Sequence, residues 1–453
     1  MGQLPTGEPV WDLQFDESGR LTAPDHDAFI GEVKNQQIQT LFMFAHGWGT
    51  STDHATKLFN AMFPMIRAAA HPVAALGRVG FVGIYWPSLW FPPTTATVPA
   101  LAGAGQAGGA GQALNAGTAQ VSGKEIADFL RPGYADPGQQ QQITQIGQLI
   151  DQGQAMAGQG ATDTDKQQLI GQISDLIAKL TPAVNGSGQD AGETVLLTTG
   201  DPVQAYQTTA AVFGTTPGGG AAQGIGDWFG AAINGAKDAV RALSYWTMKT
   251  RAGTIGQTGL GPLLTALHEQ APTTRVSLTG HSFGARLVSF ALAGIDRPED
   301  SPVCAVSLLQ GAFSHWSFAD AAGNPFGEPG GLFGLGDRVH GPLVATFSGF
   351  DRAVGVWYPR ASFLAGSNVA AAGGPNRWGG MGSDGFQPAA VAATVPMPAQ
   401  GNPNYQFASA AFYRIDANNV INNVALSSFA GAHSDIQKPP VAQLIVAAAA
   451  AGN

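Results

Sequence analysis

Gly280-His281-Ser282-Phe283-Gly284 carries more structural information than any other stretch of this chain. Before it, Thr274-Arg275-Val276-Ser277-Leu278-Thr279 reads as a short buried strand. After it, Ala285-Arg286-Leu287-Val288-Ser289-Phe290-Ala291-Leu292 reads as an apolar helix. G-x-S-x-G between a strand and a helix makes a very tight turn that pushes the serine hydroxyl into the open. The turn strains the serine backbone, and a side chain at either flanking glycine would collide with its neighbours. The helix N-terminus aims free N–H groups at the same place. In a chain with 62 glycines the bare pattern can arise by chance. Requiring the strand before it and the helix after it weakens that alternative.

A nucleophilic serine needs a base, an acid that orients the base, and donors for an oxyanion. In this architecture the acid and then the base follow the serine in the chain. Of the nine histidines only His433 lies beyond every plausible acid, in Gly431-Ala432-His433-Ser434-Asp435-Ile436. This loop follows the strand-like run Phe412 to Asp416 and precedes a final helix, so the alternative is an ordinary loop histidine. The acid has several candidates: Asp296, Asp300, Asp320, Asp337, Asp351, Asp384 and Asp416. Asp351 fits best, because Leu343 to Ser348 reads as a buried strand and Gly349-Phe350-Asp351 leaves its C-terminal end. Catalytic groups gather outside the C-terminal ends of strands in open α/β sheets. The competing reading is a turn aspartate paired with Arg352.

Ile38 to Ala45 is a further strand run, and His46-Gly47-Trp48-Gly49 follows it directly. A His-Gly motif here fits a loop that supplies one oxyanion donor, the other being the N–H after the nucleophile. The expected donors are the backbone N–H groups of Trp48 and Phe283. His46 is expected to brace the loop rather than move protons.

Together HGWG at 46–49, GHSFG at 280–284, the strand-end Asp351 and GAHSDI at 431–436 resemble the α/β-hydrolase superfamily, with Ile84-Tyr85-Trp86-Pro87-Ser88 similar to its bacterial members. The resemblance covers roughly residues 10–90 and 236–450. It implies an α/β-hydrolase fold, with a mostly parallel central sheet flanked by helices. It implies hydrolysis of an ester or related acyl bond by a serine esterase or lipase, with Ser282, Asp351 and His433 as catalytic triad and no metal or cofactor. Thioesterase and amidase chemistry remain open. Epoxide hydrolases and dehalogenases usually carry aspartate at the elbow, so Ser282 argues against them. The opposing class is a non-enzymatic scaffold, or a partner-binding protein that uses its helical insertion.

Outward from these motifs the organisation follows composition. Val10 to Phe15 alternates and meets the turn Asp16-Glu17-Ser18-Gly19, predicting an opening hairpin. Strand 38–45, a helix near 53–69 and strand 81–86 start the parallel sheet. Residues 1–90 and 236–453 are then the catalytic domain, and 91–235 an insertion before the nucleophile strand. Ala/Gly-rich runs at 101–117 and 217–226 read as linkers. Between them, apolar stripes at Ile143, Ile146, Leu149 and Ile150 and at Leu169, Ile170, Ile173, Leu176, Ile177 and Leu180 predict a helical hairpin over 139–157 and 164–180. The insertion leaves the sheet at its C-terminal edge, which suits a cap over the site; the alternative is a docking surface. Trp86, Trp90 and Phe91 after one strand, and Phe313, Trp316 and Phe318 after another, are candidate pocket residues. Each taken alone reads as core. Residues 364–408 read as a second loop region beside the entrance.

Composition excludes some classes. The 453 residues carry 12% charged side chains and a net charge of −9, with no basic footprint for nucleic acid. No C-x-x-C, H-E-x-x-H, P-loop or dinucleotide fingerprint occurs. The lone Cys304 lies in an apolar strand run and reads as a small core residue. Met1 to Thr6 lacks the charged and apolar regions of a signal peptide, and Val441 to Ala451 is too short to span a bilayer, so the expectation is a cytoplasmic protein without a transmembrane segment, with unconventional export as the alternative. The expected substrate is a small-molecule or lipid-like ester. Acyl length and oligomeric state are not legible in the residues.

Overall fold

The structure is a computed structural model that describes residues 2–88, 122–134, 136–157, 161–180, 201–203, 206, 228–357, 379–387, 391–401, 403–426 and 430–452. Trp90, Phe91, Phe213 and the Ala/Gly runs at 101–117 and 217–226 lie outside them. In chain order the first elements are β1 (Gly2–Gln3), β2 (Pro9–Phe15), β3 (Leu21–Ala23), α1 (His26–Asn35), β4 (Thr40–Ala45), α2 (Thr52–Ala70) and β5 (Val79–Tyr85). Next come the helices α3 (Gly123–Leu130), α4 (Pro137–Ala157), α5 (Asp163–Leu180), α6 (Trp228–Thr254) and α7 (Gly261–Gln270). The last group is β6 (Arg275–His281), α8 (Phe283–Ala291), β7 (Val303–Leu309), β8 (Leu343–Phe347), α9 (Met381–Asp384), β9 (Val391–Pro396), β10 (Phe412–Asp416) and α10 (Pro439–Ala451).

The strands form one sheet in the order β1-β2-β5-β4-β6-β7-β8-β10-β9, with β3 paired to β2 outside this path. Strands β2 through β9 along this path pair in parallel, and only β1 and β3 run antiparallel to β2. The β2–β3 pair is the expected opening hairpin. A parallel sheet is covered on both faces, so its strands are apolar throughout. In β4, Leu41, Met43 and Ala45 point into one core while Phe42 and Phe44 point into the other. The first core takes α1, the helices of the insertion, α7 and α8; the second takes α2 and α10. Cys304 is fully buried in the second core, where burial pushes its thiol up to about 12. No helix among the described residues is long and apolar enough to cross a membrane.

The helical hairpin forms as α4 and α5, close to the predicted bounds. Its apolar stripes, Ile143, Ile146 and Ile150 with Ile170, Ile173 and Ile177, join the same core as one face of the sheet. Asp151 caps the start of α3 by accepting from Gly123 N (2.6 Å) and Lys124 N (2.9 Å). The boundary expected at 235/236 falls inside α6, a helix of 27 residues. A π-helical turn, Ile255–Leu260, carries α6 on into α7. The region 364–408 is not loop throughout. It contains the short helix α9 and the edge strand β9, which pairs in parallel with β10.

Candidate active site

In a parallel sheet all C-terminal strand ends reach one edge. Register makes this local: Ala45 lies opposite Gly280, His281 opposite Leu309, and Leu308 opposite Ala345. The segments that leave β4, β6, β7 and β8 therefore start side by side, and they carry His46-Gly47-Trp48, Ser282, Gln310 and Asp351.

Ser282 has φ 58 and ψ −122, a region a non-glycine residue enters at a cost of ~1–3 kcal/mol. The surroundings hold it there. Its N–H donates to Leu309 O (3.1 Å), and its carbonyl accepts from Ala285 N (3.1 Å) and Ala312 N (3.2 Å). It opens α8, so the N–H of Phe283 belongs to the first helical turn, where intrahelical acceptors are lacking. The elbow leaves no room for side chains nearby. A Cβ on Gly284 would sit 2.2 Å from Ala45 O, and one on Gly47 would sit 2.8 Å from Ser282 Cβ. The His46-Gly47-Trp48 loop thus lies directly against Ser282, and the Trp48 ring packs on Phe283 at 5.7 Å between centroids.

His46 braces that loop. Its Nδ1 donates to Gly47 O (3.0 Å) and its Nε2 accepts from Trp86 N (3.3 Å), while the Trp86 indole donates to His46 O (2.8 Å) and stacks on the imidazole. Burial lowers its pKa to about 4, so at neutral pH the ring is uncharged.

Asp351 leaves the end of β8 and is fully buried beside His433. His433 Nδ1 donates to Asp351 Oδ2 at 2.8 Å. Backbone pairing fixes the two together: Asp351 bridges Gly431, Arg352 N donates to Ala430 O (3.1 Å), and Ala432 N donates to Phe350 O (2.9 Å). With Nδ1 bound to the carboxylate, Nε2 is the basic nitrogen of the ring. His433 is tied to the elbow through its carbonyl, which accepts from His281 Nε2 at 2.9 Å; the two rings are 4.8 Å apart. Among the described residues, the hydrogen bonds of the His433 ring do not include the Ser282 hydroxyl. His281 is buried, and desolvation, helped by the neighbouring His433, lowers its pKa to about 3.

Of the other acid candidates, Asp296 is exposed to solvent and the rest are engaged elsewhere. Asp384 pairs with His315 Nδ1 (2.6 Å), Asp300 and Asp337 pair with Arg297 and Arg338, Asp320 accepts from Gly323 N, and Asp416 accepts from Asn418. Of the pocket candidates, Trp86 supports the His46 loop and lines a cleft of about 670 Å³ with Tyr85, Thr50 and Ser51. Phe313 is wholly buried, with its carbonyl accepting from Met381 N. Trp316 is half-buried with its ring against His315, and Phe318 packs on Phe386 and Phe412.

Two groups at the site were not anticipated from the residues. Gln310 donates to Asp351 Oδ2 at 2.9 Å. Its position one residue beyond β7, the same logic that singled out Asp351, could have found it. Tyr245 of α6 packs against Phe283 (5.2 Å) and Trp48 (5.9 Å). Among the described residues no group of three or more His, Cys, Asp or Glu side chains could hold a metal ion. No family model matches this chain, and no curated protein or solved structure matches it.

Proposed function

We propose that this chain is a serine hydrolase of the α/β-hydrolase type that cleaves carboxylic esters. The observation that carries the reading is the buried His433–Asp351 pair, Nδ1 to Oδ2 at 2.8 Å, tied through His281 to a serine in a strained strand-to-helix turn. Ser282 attacks the acyl carbon while His433 Nε2 takes its proton and passes it to the leaving alkoxide. Asp351 orients the imidazole and stabilises its charged form. The N–H groups of Phe283 and Trp48 hold the oxyanion, and water then repeats the sequence on the acyl-enzyme. The insertion is read as a cap, because its helices α4 and α5 pack on α6, and α6 brings Tyr245 onto the ring of Phe283 next to the nucleophile. Apolar groups there suit a small or lipid-like acyl chain.

The test is a panel of p-nitrophenyl esters of rising acyl length with a fluorophosphonate probe. Wild type should turn over esters and be labelled at Ser282 alone. Ser282→Ala should keep its melting temperature and lose nearly all turnover. A wild type that neither labels nor turns over any ester would leave the scaffold reading in place.

A further inference from the structure

We propose that Gln310 is a positioning residue that aims the Asp351 carboxylate at His433. Gln310 is wholly buried and has φ 47, a left-handed conformation that asparagine, aspartate and glycine adopt far more readily. Its amide is fully engaged. Nε2 donates to Asp351 Oδ2 (2.9 Å) and to Gly382 O (3.1 Å), and Oε1 accepts from Thr346 Oγ1 (2.9 Å). The Thr346 hydroxyl in turn accepts from Gln310 N (3.0 Å). That arrangement fixes which way the amide faces. The hydroxyl proton claims Oε1, so both amide hydrogens point at acceptors, and one of these is the oxygen that His433 uses. The other carboxylate oxygen accepts from Val354 N (3.0 Å). Gln310 and Val354 thus grip the carboxylate from two sides and prevent its rotation away from the imidazole. A general base whose partner is misplaced by a fraction of an ångström loses rate steeply.

The activity readout rests on the esterase reading above; the spectroscopic one does not. Gln310→Met keeps length and apolar fit but cannot donate. Its kcat should fall about 10²-fold with KM within about twofold of wild type. Gln310→Glu can donate only while its carboxyl is protonated; once ionised it opposes Asp351 with like charge. Its kcat should therefore be lost as pH rises through neutrality, where wild type keeps its activity. The proton shared by His433 Nδ1 and Asp351 should give a downfield resonance that moves or vanishes in Gln310→Met. A folded Gln310→Met with unchanged kcat and resonance, or a Gln310→Glu with the wild-type pH profile, would overturn the proposal. If Gln310→Met does not fold, Thr346→Val, which frees the amide to turn, must shift the same resonance. If wild type proves inactive on every ester, the resonance alone decides.

Discussion

At the scale of single residues, the site depends on one carboxylate among many. Asp351 and Asp416 both stand at or just beyond the end of a parallel strand, and β8 and β10 are neighbours. Only Asp351 reaches His433; Asp416 turns back to Asn418, accepting from its backbone N–H (3.0 Å) and its side chain. Asp351→Asn should keep the fold yet cost about 10⁴ in kcat, since an amide no longer selects the reactive tautomer of its histidine. Asp416→Asn should leave kcat within a few-fold of wild type. Steady-state kinetics on a short ester compares them directly, and equal losses would reassign the acid. The same logic was legible in the residues, because strand-end placement needs only a strand and its direction. Gln310 shares that strand-end placement, one residue beyond β7, but its partners Thr346 and Asp351 lie on other segments that only the fold brings to it.

At the scale of elements, the boundary expected at 235/236, just after the Ala/Gly-rich run at 217–226, falls inside α6, and α6 and the turn that follows carry glycines of their own. The structure uses them for close packing: a Cβ on Gly235 would lie 1.8 Å from Tyr206 O, and one on Gly256 would lie 2.1 Å from Leu287 O. The insertion has a similar crossing, where Gly123 of α3 and Gly147 of α4 each leave space for the other's carbonyl. Gly147→Leu must push these helices apart and should destabilise the protein by about 1–3 kcal/mol, the usual cost of overpacking. Thermal unfolding would read this as a lowered Tm. Because this crossing touches neither Ser282 nor His433, turnover of a small acetate ester should hold. If the insertion walls the acyl site, long-chain esters should be lost first, since they draw on remote binding surface. An unchanged acyl-length profile in a folded Gly147→Leu with lowered Tm would count against the cap. Strand β9 was hidden for a different reason. Val391-Ala392-Ala393-Thr394-Val395-Pro396 is largely exposed and of modest strand propensity, so only pairing with β10 makes it a strand.

At the scale of the whole molecule, two neutral histidines are locked inside. His46 and His281 titrate at about 4 and about 3 in the folded protein, against 6.5 for the free side chain. Both shifts are downward and both arise chiefly from burial. The unfolded chain therefore binds protons that the folded chain refuses. Stability is intact above pH 6.5 and falls as pH drops below it, until the folded-state values are reached. Each histidine should cost about 2 kcal/mol between about pH 7 and about pH 5. Denaturant unfolding at these two pH values checks this, with proton uptake of about two per molecule near the lower one. A stability independent of pH over that range would show that neither ring is held neutral.

What the residues determined by themselves is the local grammar. They give the elbow, because glycine, serine and glycine between an apolar strand and an apolar helix have few other uses. They give the order Ser282, Asp351, His433 along the chain, the α/β class, and the helical hairpin with its stripes. Each of these depends on neighbours within a few turns of chain. Only the tertiary structure decided which aspartate meets His433, that Asp384 belongs to His315, that Gln310 donates to Asp351, and that α6 lies on α8. Those are contacts between segments far apart in sequence, and the register of a parallel sheet creates them by setting four strand ends level at one edge. Register depends on which face of every strand is buried against which helix, a property of the assembled core and not of any one stretch.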